Sequence, residues 1–173
     1  MRIFLSLSLL VLTLATAAAG RLDIAVVQFP EPKTPEQLTA ALAGASLFEL
    51  TNSSRTMSTA SDLKGGTVIF AQSLQTSGGS FGSSTRLSNQ RADVSGSLSG
   101  GNVSLKVEII EGVKAGLRSF ENKVYTGSGS LAGGSPQILS MRIIKGRAPS
   151  VTKGQTKMVS YELSTAVIAQ YTP

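Results

Sequence analysis

The chain contains no cysteine, no histidine and no tryptophan. Without cysteine there is no disulfide, no thiolate nucleophile and no thiolate ligand for zinc. Without histidine there is no imidazole base, so every Ser-His-Asp arrangement is excluded. Charged residues make up only 15% of the chain, and no acidic run has the spacing of a calcium loop, so neither a metal nor a cofactor is expected. Aromatics make up 5% and are scattered, which argues against the stacking platforms of nucleic-acid readers. These absences remove most enzyme chemistry, and no catalytic residue is assigned.

The N-terminus carries an address. Met1 and Arg2 form a short positive start, Ile3 to Leu14 is apolar apart from Ser6, Ser8 and Thr13, and Ala15 to Gly20 are small. That order is the pattern of a secretory signal peptide, with cleavage after Ala17 or Ala19. The apolar stretch falls short of the roughly twenty residues a membrane span needs. The expected organisation is therefore a signal peptide over 1–19 and one domain over 20–173, of ordinary domain size. The expected location is exported: periplasmic, outer-membrane-associated or secreted. Lacking disulfides, the exported chain depends on burial and sheet hydrogen bonds for stability.

From residue 20 onward the chain holds 18 Gly, 23 Ser and 13 Thr, more than a third of its length. The apolar residues nevertheless fall in alternating runs with Gly and Ser between them, as strands and turns require. In Asn102–Ile110, Val103, Leu105, Val107 and Ile109 alternate with Ser104, Lys106 and Glu108. Thr67–Leu74 is denser and predicts a strand covered on both faces. Gln137–Lys145 sets Leu139, Met141 and Ile143 on one face, and Lys157–Gln170 sets Val159, Tyr161, Leu163, Thr165 and Val167 together. Leu22–Phe29 opens the fold; Ala92–Leu98 and Leu117–Tyr125 are weaker strands. One helix is expected after Thr34-Pro35-Glu36-Gln37, a capping box with Pro at the first helical position, ending at Gly44. The fold class predicted is mainly β: an antiparallel β-sandwich or curled sheet with one short N-terminal helix. Ser77–Asn89 and Thr126–Pro136 read as flexible loops.

Several short motifs match catalytic patterns without their chemistry. Gly78-Gly79-Ser80-Phe81-Gly82 fits a nucleophile elbow, but the elbow needs a histidine. Gly127-Ser128-Gly129-Ser130-Leu131-Ala132 approaches a dinucleotide fingerprint, but Gly133-Gly134-Ser135-Pro136 follows where a helix must begin. Ser61-Asp62-Leu63-Lys64 and Ser150-Val151-Thr152-Lys153 fit S-x-x-K, which leaves a Ser-Lys hydrolase as the only nucleophilic chemistry available. Asn52 and Asn102 stand in glycosylation-type triplets that a Ser-rich chain produces by chance.

Charge is the more informative signal. The chain has a net charge of +6, and between Asn122 and Tyr161 there is no acidic residue. Arg142, Lys145, Arg147, Lys153 and Lys157 lie in that stretch and form a candidate anion-binding surface, the first three placed near a strand end and turn. Its ligand would be cell-wall polymer or anionic lipid, nucleic acid being disfavoured. The plainer reading is a set of cations that keep a sheet edge from pairing.

Gly65-Gly66-Thr67-Val68-Ile69-Phe70-Ala71 resembles the G-x-T-apolar strand of the C-terminal β-domain of bacterial secretins, the channels of type II and type III secretion systems. Gly154-Gln155-Thr156-Lys157-Met158-Val159 resembles it again, and Asn102–Ile110 is similar to the V-x-L-x-V strand of those domains. The resemblance implies a β-rich envelope component and carries over no functional residue. The function expected is an exported, non-enzymatic envelope protein acting by protein–protein interaction or self-association, as a secretin-like accessory or assembly subunit. A polyanion-binding module and a Ser-Lys hydrolase are the alternatives.

Overall fold

A computed structural model describes residues 19–52, 56–57, 65–87, 90–112, 120–131, 133–152 and 155–173. The elements are β1 (Gly20–Phe29), α1 (Pro35–Leu42), α2 (Leu47–Asn52), β2 (Thr56–Met57), β3 (Gly66–Thr76), β4 (Gly79–Leu87), β5 (Gln90–Ser99), β6 (Asn102–Gly112), β7 (Phe120–Ser130), β8 (Gln137–Thr152) and β9 (Gln155–Thr172). All pairings are antiparallel. One sheet runs β2-β3-β1-β9-β8 and the other β4-β5-β6-β7. The expected mainly β, sandwich-like fold is the one present.

The inner faces of both sheets bury Leu22, Ile24, Val26, Phe70, Val94, Leu105, Val107, Ile109 and Val167 against one another. Alternation in β5 and β6 produces half of this core, since every second side chain points inward. Each such side chain contributes about 1.5–3 kcal/mol when fully buried. The other face of the first sheet is covered by the helices, where Leu38, Leu42 and Leu47 pack on Ala25, Val27, Phe29, Ala166 and Ile168. β1 and the end of β9 are therefore covered on both sides, which explains their near-continuous apolar sequence. β3 shares in both layers through a bulge opposite Val26 and Val27: Ile69 and Phe70 face the inter-sheet core and Val68 the helices.

Helix α1 begins as the capping box predicts. Gln37 N–H donates to Thr34 Oγ1 at 3.3 Å and Thr34 N–H donates to Gln37 Oε1 at 2.9 Å. Leu38 and Leu42, four apart, are its buried stripe. Helix α2 is an addition to the single helix expected. It starts from its own N-cap, Glu49 N–H donating to Ser46 Oγ at 3.5 Å, and Gln170 on β9 anchors it by accepting from Leu47 N–H at 2.6 Å.

The two sheets meet along both sides. On one, Gln72 of β3 donates to Ser83 Oγ at 2.6 Å and Thr85 Oγ1 at 3.3 Å on β4. On the other, Ser140 Oγ of β8 donates to the Thr126 carbonyl of β7 at 2.6 Å. Both stretches expected to be loops contribute strands here: Ser77–Asn89 supplies β4, and Thr126–Ser130 is the second half of β7. Their Gly and Ser content misleads locally, but a row of alternating size explains the glycines. Phe81, Gly96, Leu105 and Gly127 lie in register across β4 to β7, all facing inward. A Cβ on Gly96 would meet the Phe81 ring at 2.6 Å, and one on Gly127 would meet Leu139 Cβ at 2.6 Å. The missing side chains make room for the large neighbours and let the sheet bend toward β8.

Candidate functional site: the β8–β9 arm

β9 is 18 residues long and β8 is 16, whereas β1 has 10. β1 pairs with β9 only from Ser164 to Thr172. Before Ser164, β9 pairs with β8 alone, from Leu163 opposite Ile144 to Gln155 opposite Thr152. Among the described residues no strand lies on the outer edge of β8 or on β9 before Ser164. The excess length therefore leaves the sandwich as a two-stranded ribbon, a form only marginally stable alone in water.

The register sorts its side chains onto two faces. The face continuous with the inter-sheet core carries Arg142, Ile144, Gly146, Ala148 and Ser150 of β8 beside Lys157, Val159, Tyr161 and Leu163 of β9. The face on the helix side carries Ile143, Lys145, Arg147, Pro149 and Val151 beside Thr156, Met158, Ser160 and Glu162. Nearest the turn, Val151 is 71% exposed, Met158 62% and Val159 51%. Ile143, Ile144 and Tyr161 are also exposed. The Tyr161 ring lies over Gly146, where an added Cβ would meet the ring at 2.5 Å. This is an aromatic covering a cross-strand glycine; on the helix-side face Lys145, Arg147, Ser160 and Glu162 border an open hollow of about 380 Å³.

The five cations singled out in sequence do not form one surface. Arg142, Lys145 and Arg147 are not at a strand end; all three lie within β8, because the strand continues seven residues past Lys145 to Thr152. Lys145 and Arg147 are on the helix-side face, Arg142 and Lys157 on the opposite one. Lys153 lies outside the described residues. Lys145 Nζ is 2.6 Å from Glu162 Oε1, directly across the ribbon, so its charge is already matched. Arg142, Arg147 and Lys157 make no ion pair among the described residues.

A β-bulge between Ile138 and Ser140 also breaks the expected common face of Leu139, Met141 and Ile143. Leu139 turns into the inter-sheet core, while Met141 packs on the helix side. At the mouth where β7 and β8 separate, Tyr125, Arg142, Ile144 and Thr165 line a cleft of about 50 Å³. Partial burial there pushes the Tyr125 phenol above its ordinary value.

The remaining motifs are dispersed. Ser80 is an exposed residue within β4, not the apex of a strand-to-helix turn, and Gly127–Ser130 lies inside β7. Ser61 and Lys64 fall outside the described residues. Ser150 is exposed on the arm. Asn102 opens β6 and Asn52 ends α2. Among the described residues no three metal-binding side chains gather, and no helix is long and apolar enough to cross a membrane. Elsewhere, an open groove of about 460 Å³ on the outside of the second sheet is lined by Ser95, Ser104, Lys106, Thr126, Ser128 and Ser140. Sequence reading named neither this hydroxyl face nor the exposed Val151 and Met158, although the two-residue gap between β8 and β9 is a hairpin signal. Of the segments compared with secretin strands, Thr67–Ala71 lies in β3 and Asn102–Ile110 in β6. No protein-family model, no curated protein and no solved structure matches the chain.

Proposed function

We propose that this chain is an exported, non-enzymatic interaction protein of the cell envelope, which docks onto another envelope component through the β8–β9 arm. The observation that carries this reading is the arm itself. A ribbon with Val151, Met158 and Val159 more than half exposed has no role in the sandwich core. Exposed apolar side chains gathered in one place, with cations among them, are the mark of a docking surface. The signal-like N-terminus and the secretin-like strands support an envelope setting, and a role as an accessory or assembly subunit fits both.

Cell fractionation tests the proposal. The unaltered chain is expected with the envelope fraction. Val151→Ser, Met158→Ser and Val159→Ser together are expected to release it into the soluble fraction without changing its melting temperature, because these side chains are exposed. A folded triple variant that stays with the envelope would remove the arm from the account.

A further inference from the structure

We infer that the arm's partner is the surface of an anionic phospholipid bilayer, into whose headgroup zone the apex of the ribbon inserts. This rests on the arm being the docking element and names what it docks to. Three observations lead there.

The first is that exposed apolar side chains stand on both faces of the outer ribbon, beside the polar pairs Ser150–Lys157 and Thr152–Gln155. Val151, Met158 and Pro149 project from one face, Val159 and Ala148 from the other. A groove on a protein partner covers both faces only where it encloses the ribbon. A fluid layer surrounds both.

The second is charge. Arg147 and Lys157 make no ion pair among the described residues, and the nearest carboxylate on the ribbon, Glu162, is held by Lys145. Lys157 sits among the apical apolar side chains and Arg147 one row behind Val159. Long cationic side chains so placed lay their stems along apolar surface and extend their charges to phosphates. Tyr161 stands one row further back, an amphipathic ring at the depth where such rings favour a membrane–water boundary.

The third is the backbone. Among the described residues both edges of the ribbon are unpaired. Free N–H and C=O groups cannot enter hydrocarbon, so the apex stops among headgroups and their water. Insertion is shallow, and the arm does not span.

The absence of cysteine permits a direct test. Ser150→Cys, exposed near the apex, and Ser97→Cys, exposed on the outside of the second sheet, each carry one environment-sensitive fluorophore on the full chain. Each is mixed with phosphatidylglycerol-containing vesicles, with neutral phosphatidylcholine vesicles and with native envelope membranes. Comparing two sites on one chain separates the arm from any contribution of the apolar N-terminus. The expected result is a blue shift at position 150 with anionic vesicles, none at position 97, and little with neutral lipid. Arg147→Ser with Lys157→Ser is expected to weaken anionic binding roughly thirty-fold, at about a fivefold loss per cation. A shift at 150 with envelope membranes but not with anionic vesicles would overturn the bilayer and leave the arm as a protein-docking element. Equal shifts with neutral and anionic vesicles would also overturn the inference, since charge would then play no part. No shift at 150 with any sample would overturn both this inference and the docking role of the arm.

Discussion

At the scale of single residues, small side chains decide the shape of the sandwich. Gly96 and Gly127 have no unusual backbone conformation to explain them; neither is among the glycines with positive φ. They are glycines because Phe81, Leu105 and Leu139 occupy the space their Cβ atoms would fill. Gly127→Ala is therefore expected to destabilise the fold by about 1–3 kcal/mol, the usual cost of overpacking a filled core. A lower denaturant midpoint with unchanged slope would show it; a midpoint equal to the parent's would mean that β7 and β8 are not held together as described. A second residue-scale feature is Asp23, buried in β1 and held by Arg21 Nε at 3.0 Å and by the Ser73 hydroxyl at 2.5 Å. Arg21 also stacks its guanidinium 4.4 Å above the Phe48 ring, tying β1 to α2. Neither the row of glycines nor this polar contact was legible in sequence, because each depends on which strands become neighbours.

At the scale of elements, the legible parts were those whose cause is local. The capping box at Thr34 and Gln37 begins α1, and alternation from Val103 to Ile109 places β6, since both signals lie within a few adjacent residues. β4 is not legible locally because its sequence is mostly Gly and Ser; it is a strand because β5 and Gln72 satisfy it. The arm was half legible. Its cations are plain in the sequence, but their division between two faces follows from a register that no local pattern specifies. If the arm is a working part and not a structural one, its removal is cheap. A chain in which Asn-Gly joins Gly146 directly to Tyr161 forms a short type I′ hairpin. It is expected to melt within a few degrees of the parent. A fall of more than about 8 °C, roughly 2 kcal/mol for a chain of this size, would make the arm part of the fold's own stability.

At the scale of the whole molecule, the basic balance of the chain coexists with locally satisfied acids. Asp93 is held below its ordinary value by hydrogen bonds from Ser84 and Arg91, and Glu108 by those from Lys106 and Asn122. Depressed carboxylates stabilise the fold above their unfolded pKa values and lose that contribution as pH falls through the folded ones. The melting temperature is therefore expected to be level from neutral pH to about pH 5 and to fall below about pH 4. Asp93→Asn with Glu108→Gln should flatten that fall, and an acid limb of undiminished steepness would assign it to other groups. That the strands make a sandwich or a curled sheet is legible from their number and alternation; the division into two sheets and the order β2-β3-β1-β9-β8 are not, because that order brings the first and last strands together. That same pairing creates the arm, since the short β1 cannot accompany the long β9 to its end.

The central claim is that this arm, and no other surface, meets the partner. A photo-crosslinking residue at Val151 and, separately, at Ser97 in cells that make the protein tests it most directly. The account predicts adducts, to lipid or protein, from position 151 and none from position 97. Adducts from position 97 with none from position 151 would contradict it and move the working surface to the serine-lined face of the second sheet.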